Sequence, residues 1–178
     1  YRRQRQMCIR DRDFIPEYDK IYCVSEPVRK QVIARFPELA DRTEVLLNFI
    51  DIKQVQRRSE EPLSDPQYTG ELKFLTVGRA SEEKGYDIAV QITAELKKRG
   101  LCFKWFIIGD GRDLNKLRTM AKEYQVEQEI IFLGMRENPA PYVKSCDLYL
   151  QPSRHEGYPI TIVEARSLQT VSYTHLTL

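Results

Sequence analysis

Four short apolar runs, LKFLTV, FKWFII, EIIFL and DLYLQ, punctuate residues 72–151, and a stretch with helical spacing or helix-start signals follows each of them. Three of the four end in glycine, at Gly78, Gly109 and Gly134. Residues 86–99 put Ile88, Ala89, Ile92 and Leu96 on one helical face and close with Lys97, Lys98 and a stop at Gly100. Residues 113–124 repeat the pattern with Leu114, Leu117, Ala121 and Tyr124. A short helix is predicted over 138–145, interrupted early by Pro139 and Pro141, and a fuller one over 159–168 with Pro159 at its favoured first position. Strands alternating with helices predict a parallel sheet joined by right-handed crossovers. Strands that are apolar on both faces fit a sheet covered on both sides. The predicted fold class is therefore α/β, a Rossmann-like doubly wound parallel sheet. Ligands of such sheets sit beyond the carboxyl ends of the strands, so the turns after residues 78, 109, 134 and 151 form the expected rim.

A smaller α/β piece precedes this unit, with strands expected at 20–25 and 43–47 and a helix at 26–36. Between the two, RRSEEP and SDPQ are polar and interrupted by proline, which reads as a linker. Residues 1–12 have no apolar period, and residues 171–178 follow a helix without a turn signal. Both ends read as non-native tails similar to translated sequencing-adapter sequence, with an edge strand as the alternative for the second. The expected organisation is a tail at 1–12, a small α/β piece at 13–48, a linker at 49–70, the main domain at 71–170 and a tail at 171–178.

Several function classes are disfavoured. Lys and Arg total 28 against 26 Asp and Glu, a net charge of +2, too small to bind nucleic acid by bulk charge. No apolar run reaches the roughly 18 residues of a membrane span, and the Arg-rich start lacks the apolar stretch of a secretory signal. Cys8, Cys23, Cys102 and Cys146 form no C-x-x-C pair, so neither a disulfide framework nor a zinc site is expected, and a cytoplasmic setting fits. Cys23, Cys102 and Cys146 lie in or beside apolar runs and read as small hydrophobes. His155 and His175 are the only histidines, too few for a typical metal centre. Asp11-Arg12-Asp13 has the acidic form that chelates metal in another class of sugar transferases, but it lies at the edge of the first tail without the right strand-loop context. Gly109-Asp110-Gly111 is an incomplete dinucleotide fingerprint, since Leu114 stands where the last small residue belongs. No cofactor is expected.

Two constellations remain. Glu156 falls in the loop after the fourth strand, and Glu164 about a turn and a half into the next helix. That helix start carries free amides and partial positive charge, so a phosphate could rest on the backbone of Gly157 and Tyr158. A carboxylate on each side would accept hydrogen bonds from sugar or ribose hydroxyls. Against this stands the plainer reading of two solvated glutamates. The second constellation, Gly78 to Gly85, brings Arg79 and Lys84 to the same rim, where a cationic fork and a point charge suit a pyrophosphate. A solvated charged loop is its plain alternative.

These residues lie in a recognisable order: Val24-Ser25, Asn48-Phe49-Ile50-Asp51, Val77-Gly78-Arg79 with Lys84-Gly85, Ile108-Gly109-Asp110-Gly111, Phe132-Leu133-Gly134, and Pro152-Ser153 through Glu164-Ala165. From about residue 19 to 168 the chain resembles the large GT-B family of retaining glycosyltransferases that includes sucrose, mannosyl and capsular polysaccharide transferases. The two-glutamate motif is that family's signature. The resemblance implies a nucleotide-sugar donor, UDP-linked by default, bound by an incomplete C-terminal domain at 71–170, with residues 13–48 a remnant of the acceptor domain. It implies that Arg79 and Lys84 grip the pyrophosphate, that Glu156 meets the transferred sugar and that Glu164 holds the ribose. Gly157 and Tyr158 would offer amides to the phosphate, with Gly78, Gly109, Asp110, Gly111 and Ser153 around the donor. The acceptor, a carbohydrate or lipid-linked sugar, would be met by the part of the acceptor domain that is absent. Peripheral contact with the inner membrane face stays open. Phe49 departs from the family's usual glycine. A binding module without transferase activity, or a GT-B epimerase, is the alternative, and the chain alone is expected to bind donor without turnover.

Overall fold

The computed structural model describes residues 17–156 and 158–174. The tail at 1–12 with its Asp11-Arg12-Asp13, as well as Gly157 and His175, lie outside the described residues. The chain divides into two compact units, with the boundary between Phe49 and Ile50.

In the first unit, β1 (Ile21–Cys23) and β2 (Thr43–Val45) pair in parallel through the crossover helix α1 (Glu26–Arg35). The Arg29 Nε donates to the Thr43 carbonyl at 2.8 Å, tying α1 to β2. The Thr43 hydroxyl, buried, donates to the Leu39 carbonyl.

The second unit begins with α2 (Ile52–Ser59), followed by β3 (Lys73–Val77), α3 (Tyr86–Lys98), β4 (Lys104–Ile108), α4 (Leu114–Glu123), β5 (Ile130–Gly134), α5 (Ala140–Ser145), β6 (Leu148–Gln151), α6 (Ile160–Ser167) and β7 (Ser172–Thr174). All five strands are parallel, in the order β5-β4-β3-β6-β7. The chain runs outward from β3 through β4 to β5, then returns to lay β6 on the other flank of β3. One face of the sheet packs Phe74, Trp105, Ile107 and Ile130 against α3 and α4. The other packs Leu75, Phe106, Ile108 and Tyr149 against Tyr142, Val143 and Ile162 of α5 and α6. Alternate residues of β4 thus enter opposite cores, which is why Trp105–Ile108 is an unbroken apolar run after Lys104. The indole Nε1–H of Trp105 donates to the Thr76 hydroxyl, which donates to the Leu150 carbonyl, so the polar groups inside the sheet are paired.

Three expectations need correction. The stretch at 49–70 is not simply a linker. Asp51 caps α2 by accepting from the Gln54 amide at 3.0 Å, α2 lies against α5 and α6, and Tyr68 is buried with its ring 4.5 Å from that of Phe106. Farther on, Ser172–Thr174 forms the edge strand β7, the alternative expected for that stretch. Finally, the four residues assigned to one face of α3 separate. Ala89 is buried with Val90, Thr93 and Ala94, whereas Ile88, Ile92 and Leu96 overhang an apolar groove beside Leu148 and Leu150. Close packing of a helix on a sheet selects the small residues for the contact. Cys23 and Cys146 are buried, but Cys102 is exposed in the turn before β4 and does not act as a core residue.

Candidate functional site

Because β4 and β6 lie on opposite sides of β3, the strand order reverses at β3, the place where such sheets bind ligands in a crevice, and the loops that leave β3 and β6 face each other there. The loop after β3 ends in a 3-10 turn, Glu82–Lys84, and Gly85 then turns the chain into α3. This aims Lys84 across the crevice. Its Nζ donates to Glu156 Oε1 at 2.6 Å. The same oxygen accepts from the Ser153 hydroxyl at 2.6 Å and from Gln151 Nε2 at 2.9 Å. The Glu156 side chain is only 8% exposed and that of Lys84 27%, so this ion pair is shielded more than a surface pair. Ser153 is fully buried and points its hydroxyl at Glu156.

A second tie joins the same loops. Arg154 forms a forked pair with Asp87 at 2.7 and 2.6 Å and donates to the Glu82 carbonyl, while its amide donates to the Glu83 carbonyl. The Arg154 guanidinium holds the Asp87 carboxyl below its usual range, against the opposing effect of burial. Both side chains are about one-third exposed, so Arg154→Ala is expected to lower stability by about 1 kcal/mol at pH 7. The lowered acid value means that this contribution is complete above the ordinary value of 3.8 and fades as pH falls below it. Urea unfolding of both proteins at pH 7 and pH 3 checks this, with the difference shrinking at the lower pH.

Arg79 is exposed and has no ion-pair partner among the described residues. With Gly78, Gly109 and Asp110 it lines a crevice of about 280 Å³ over the ends of β3, β4 and β5. The loops there are bonded side by side: the Gly78 amide donates to Ile108, that of Ala80 to Asp110 and that of Gly109 to Gly134. Asp110 accepts from the Gly111 amide at 2.7 Å. The rim is thus held by backbone, with Arg79 projecting from it.

Glu164 lies apart from Glu156. It is half-buried in a cavity of about 120 Å³ with Arg58, Thr161 and Val77. Burial pushes its carboxyl above the usual range, and Arg58 pulls the other way. The two glutamates share no ligating group, but Thr161, beside Glu164, donates to the Oε1 of Gln151, whose Nε2 donates to Glu156. The helix α6 starts one residue later than expected, with Pro159 as its cap and the Tyr158 carbonyl accepting from the Ile160 amide at 2.9 Å.

Sequence reading gave no role to Gln151, Arg154, Asp87 or Arg58. Gln151 did leave a signal, since a glutamine closing an apolar strand is buried only if its amide is satisfied. The other three depend on contacts 67 or more residues apart in sequence.

A family model described as glycosyl transferases group 1 matches residues 58–172. The chain belongs to that family. An uncharacterized glycosyltransferase of Methanocaldococcus jannaschii is 30% identical over 157 residues, which is 85% of this chain and 38% of that relative. The chain therefore spans well under half the length of this relative. Among solved structures, a TarM variant from S. aureus, in complex with Fondaparinux, alpha-GlcNAc-glycerol and UDP, matches with a TM-score of 0.75 at 16% identity, over 92% of this chain and 31% of that one. Anabaena HepE in complex with UDP and glucose gives 0.72 at 18%, over 88% and 44%. These two establish the likeness of fold, that of GT-B glycosyltransferase domains. Among the described residues no helix is long and apolar enough to cross a membrane.

Proposed function

We propose that residues 71–170 form the donor-binding domain of a retaining hexosyltransferase, that residues 13–48 come from its acceptor domain, and that the donor is a UDP-linked sugar. The observation that carries the reading is the shielded Lys84–Glu156 pair across the crevice, with its carboxylate held by Gln151 and Ser153. Arg79 and Lys84 meet the pyrophosphate and neutralise the charge that grows on it as the glycosidic bond breaks. Glu156 accepts from hydroxyls of the transferred sugar and Glu164 from those of the ribose. The amides of Gly157 and Tyr158, which precede α6 in sequence, receive a phosphate, and Gly78, Gly109, Asp110 and Gly111 frame the donor.

No enzyme nucleophile is needed in this scheme. The acceptor attacks from the face the leaving phosphate departs, that phosphate takes the acceptor's proton, and the anomeric configuration is retained. The cationic side chains and the helix start supply the electrostatics that a metal gives elsewhere. The acceptor is a carbohydrate or a lipid-linked sugar, and the work is done in the cytoplasm or at the inner membrane face. UDP is favoured because TarM and HepE were solved with it.

Calorimetric titration of the chain with UDP, GDP and ADP tests the reading. UDP is expected to bind tightest. Absence of saturable heat with all three would overturn the assignment of a donor site.

A further inference from the structure

Every hydrogen bond that the Glu156 side chain makes among the described residues falls on one oxygen. Lys84, Gln151 and Ser153 all donate to Oε1. Among the described residues none donates to Oε2, which can accept from a ligand. A carboxylate with one oxygen held by three donors cannot rotate freely, so its second oxygen has a fixed direction.

Of the three donors, Gln151 is itself held most firmly. It is the last residue of β6 and 1% exposed. Its amide oxygen accepts from the Tyr149 hydroxyl at 3.0 Å and from the Thr161 hydroxyl at 3.5 Å. Tyr149 is fully buried, and its hydroxyl accepts in turn from the Val77 amide at 3.3 Å. With its oxygen turned to Tyr149 and Thr161, the amide must present its NH₂ to Ser153 and Glu156, at 2.8 and 2.9 Å. A relay therefore runs from the end of β3 through Tyr149 and Gln151 to the carboxylate. Glutamate at 151 would set a second anion against Glu156, and an apolar residue would remove the acceptor of the shorter bond from the Tyr149 hydroxyl, which also reaches the Val77 carbonyl at 3.4 Å. An amide satisfies both neighbours.

We propose that Gln151 is a positioning residue that orients Glu156 so that Oε2 meets the sugar of the donor. This rests on the assignment of Glu156 to the transferred sugar, and it adds a determinant of how strongly the sugar, as distinct from the nucleotide, is held. Ser153 acts in the same direction with a single bond.

The test compares UDP with UDP-glucose, UDP-galactose and UDP-N-acetylglucosamine on the wild-type chain, Gln151→Met and Ser153→Ala, with thermal unfolding to establish that each variant is folded. Methionine keeps the length of glutamine and removes both polar ends. The readout is the affinity the sugar adds to UDP. In Gln151→Met that increment should fall roughly tenfold, the effect of one hydrogen bond to a charged group, while UDP affinity stays within about twofold because Arg79, Lys84 and Glu164 remain. Ser153→Ala should lose part of the increment in the same selective way, and it keeps the proposal testable if Gln151→Met does not fold. Equal losses for UDP and for the sugar nucleotides would mean a merely structural role and would overturn the proposal, as would an unchanged increment in both variants. A wild-type chain that binds UDP but gains nothing from any sugar overturns both this proposal and the role of Glu156. A wild-type chain that binds none of the four ligands overturns the donor-site reading itself, together with the proposal that rests on it.

Discussion

Gly85→Ala should cost about 2–5 kcal/mol of folding free energy and open the crevice. Gly85 has a φ of +65°, where a side chain costs roughly 1–2 kcal/mol. A Cβ there would also sit 2.0 Å from the carbonyl oxygen of Pro152, which is backbone and cannot turn away. The loop after β6 would have to shift, at a further cost of about 1–3 kcal/mol. That loop carries Ser153, Arg154 and Glu156, so the shift should also break the Lys84–Glu156 pair. Gly100 is the control: its φ is +79°, but a Cβ there meets nothing within 4 Å. Gly100→Ala should therefore show the conformational cost alone, roughly 1–2 kcal/mol. Urea unfolding of the two variants separates the terms, and equal losses would mean that the loop contact carries no energy.

Glu164→Gln should raise stability at neutral pH while weakening nucleotide binding about tenfold or more, because hydrogen bonds to charged groups are worth about 1.5–3 kcal/mol. The sign follows from burial, which raises the Glu164 carboxyl above its ordinary value of 4.5 in the folded chain. The folded state then holds the proton more tightly than the unfolded one. Stability falls as pH rises from that value through the folded one, and the whole penalty is present above it. Glutamine carries no such penalty. The variant's advantage should be largest near pH 7 and vanish as pH falls below 4.5. Thermal unfolding across that range checks it. A residue that weakens the fold yet strengthens ligand binding is the usual mark of a functional position.

The strands and long helices of the sheet unit were legible because each carries its own period and its own stop. The stretch FKWFII is apolar but for Lys104 and is followed by a glycine, and β4 ends at its last residue, Ile108. The helix α2 was not legible. Its sequence IKQVQRRS is mostly polar, and long-range bonds hold it in place: Gln56 donates to the Ser167 carbonyl, Arg58 to that of Glu137, and Asn138 to that of Arg58. No local pattern encodes such partners. The site divides the same way. Arg79, Lys84 and Glu156 could be named from charge and loop position, since charges at the carboxyl ends of parallel strands stand out, and Glu164, within α6, from its pairing with Glu156 in the two-glutamate motif. Their arrangement could not, because the bond from Lys84 to Glu156 spans 72 residues and depends on β6 returning beside β3.

The division of labour among these residues is the central claim, and one comparison tests it most directly: calorimetric titration of the wild-type chain, Lys84→Ala and Glu164→Gln with UDP and with uridine. If Lys84 meets the phosphates, Lys84→Ala should lose roughly tenfold or more for UDP and leave uridine unchanged. If Glu164 holds the ribose, Glu164→Gln should weaken both ligands by a similar factor. Unchanged UDP affinity in both variants would contradict the account.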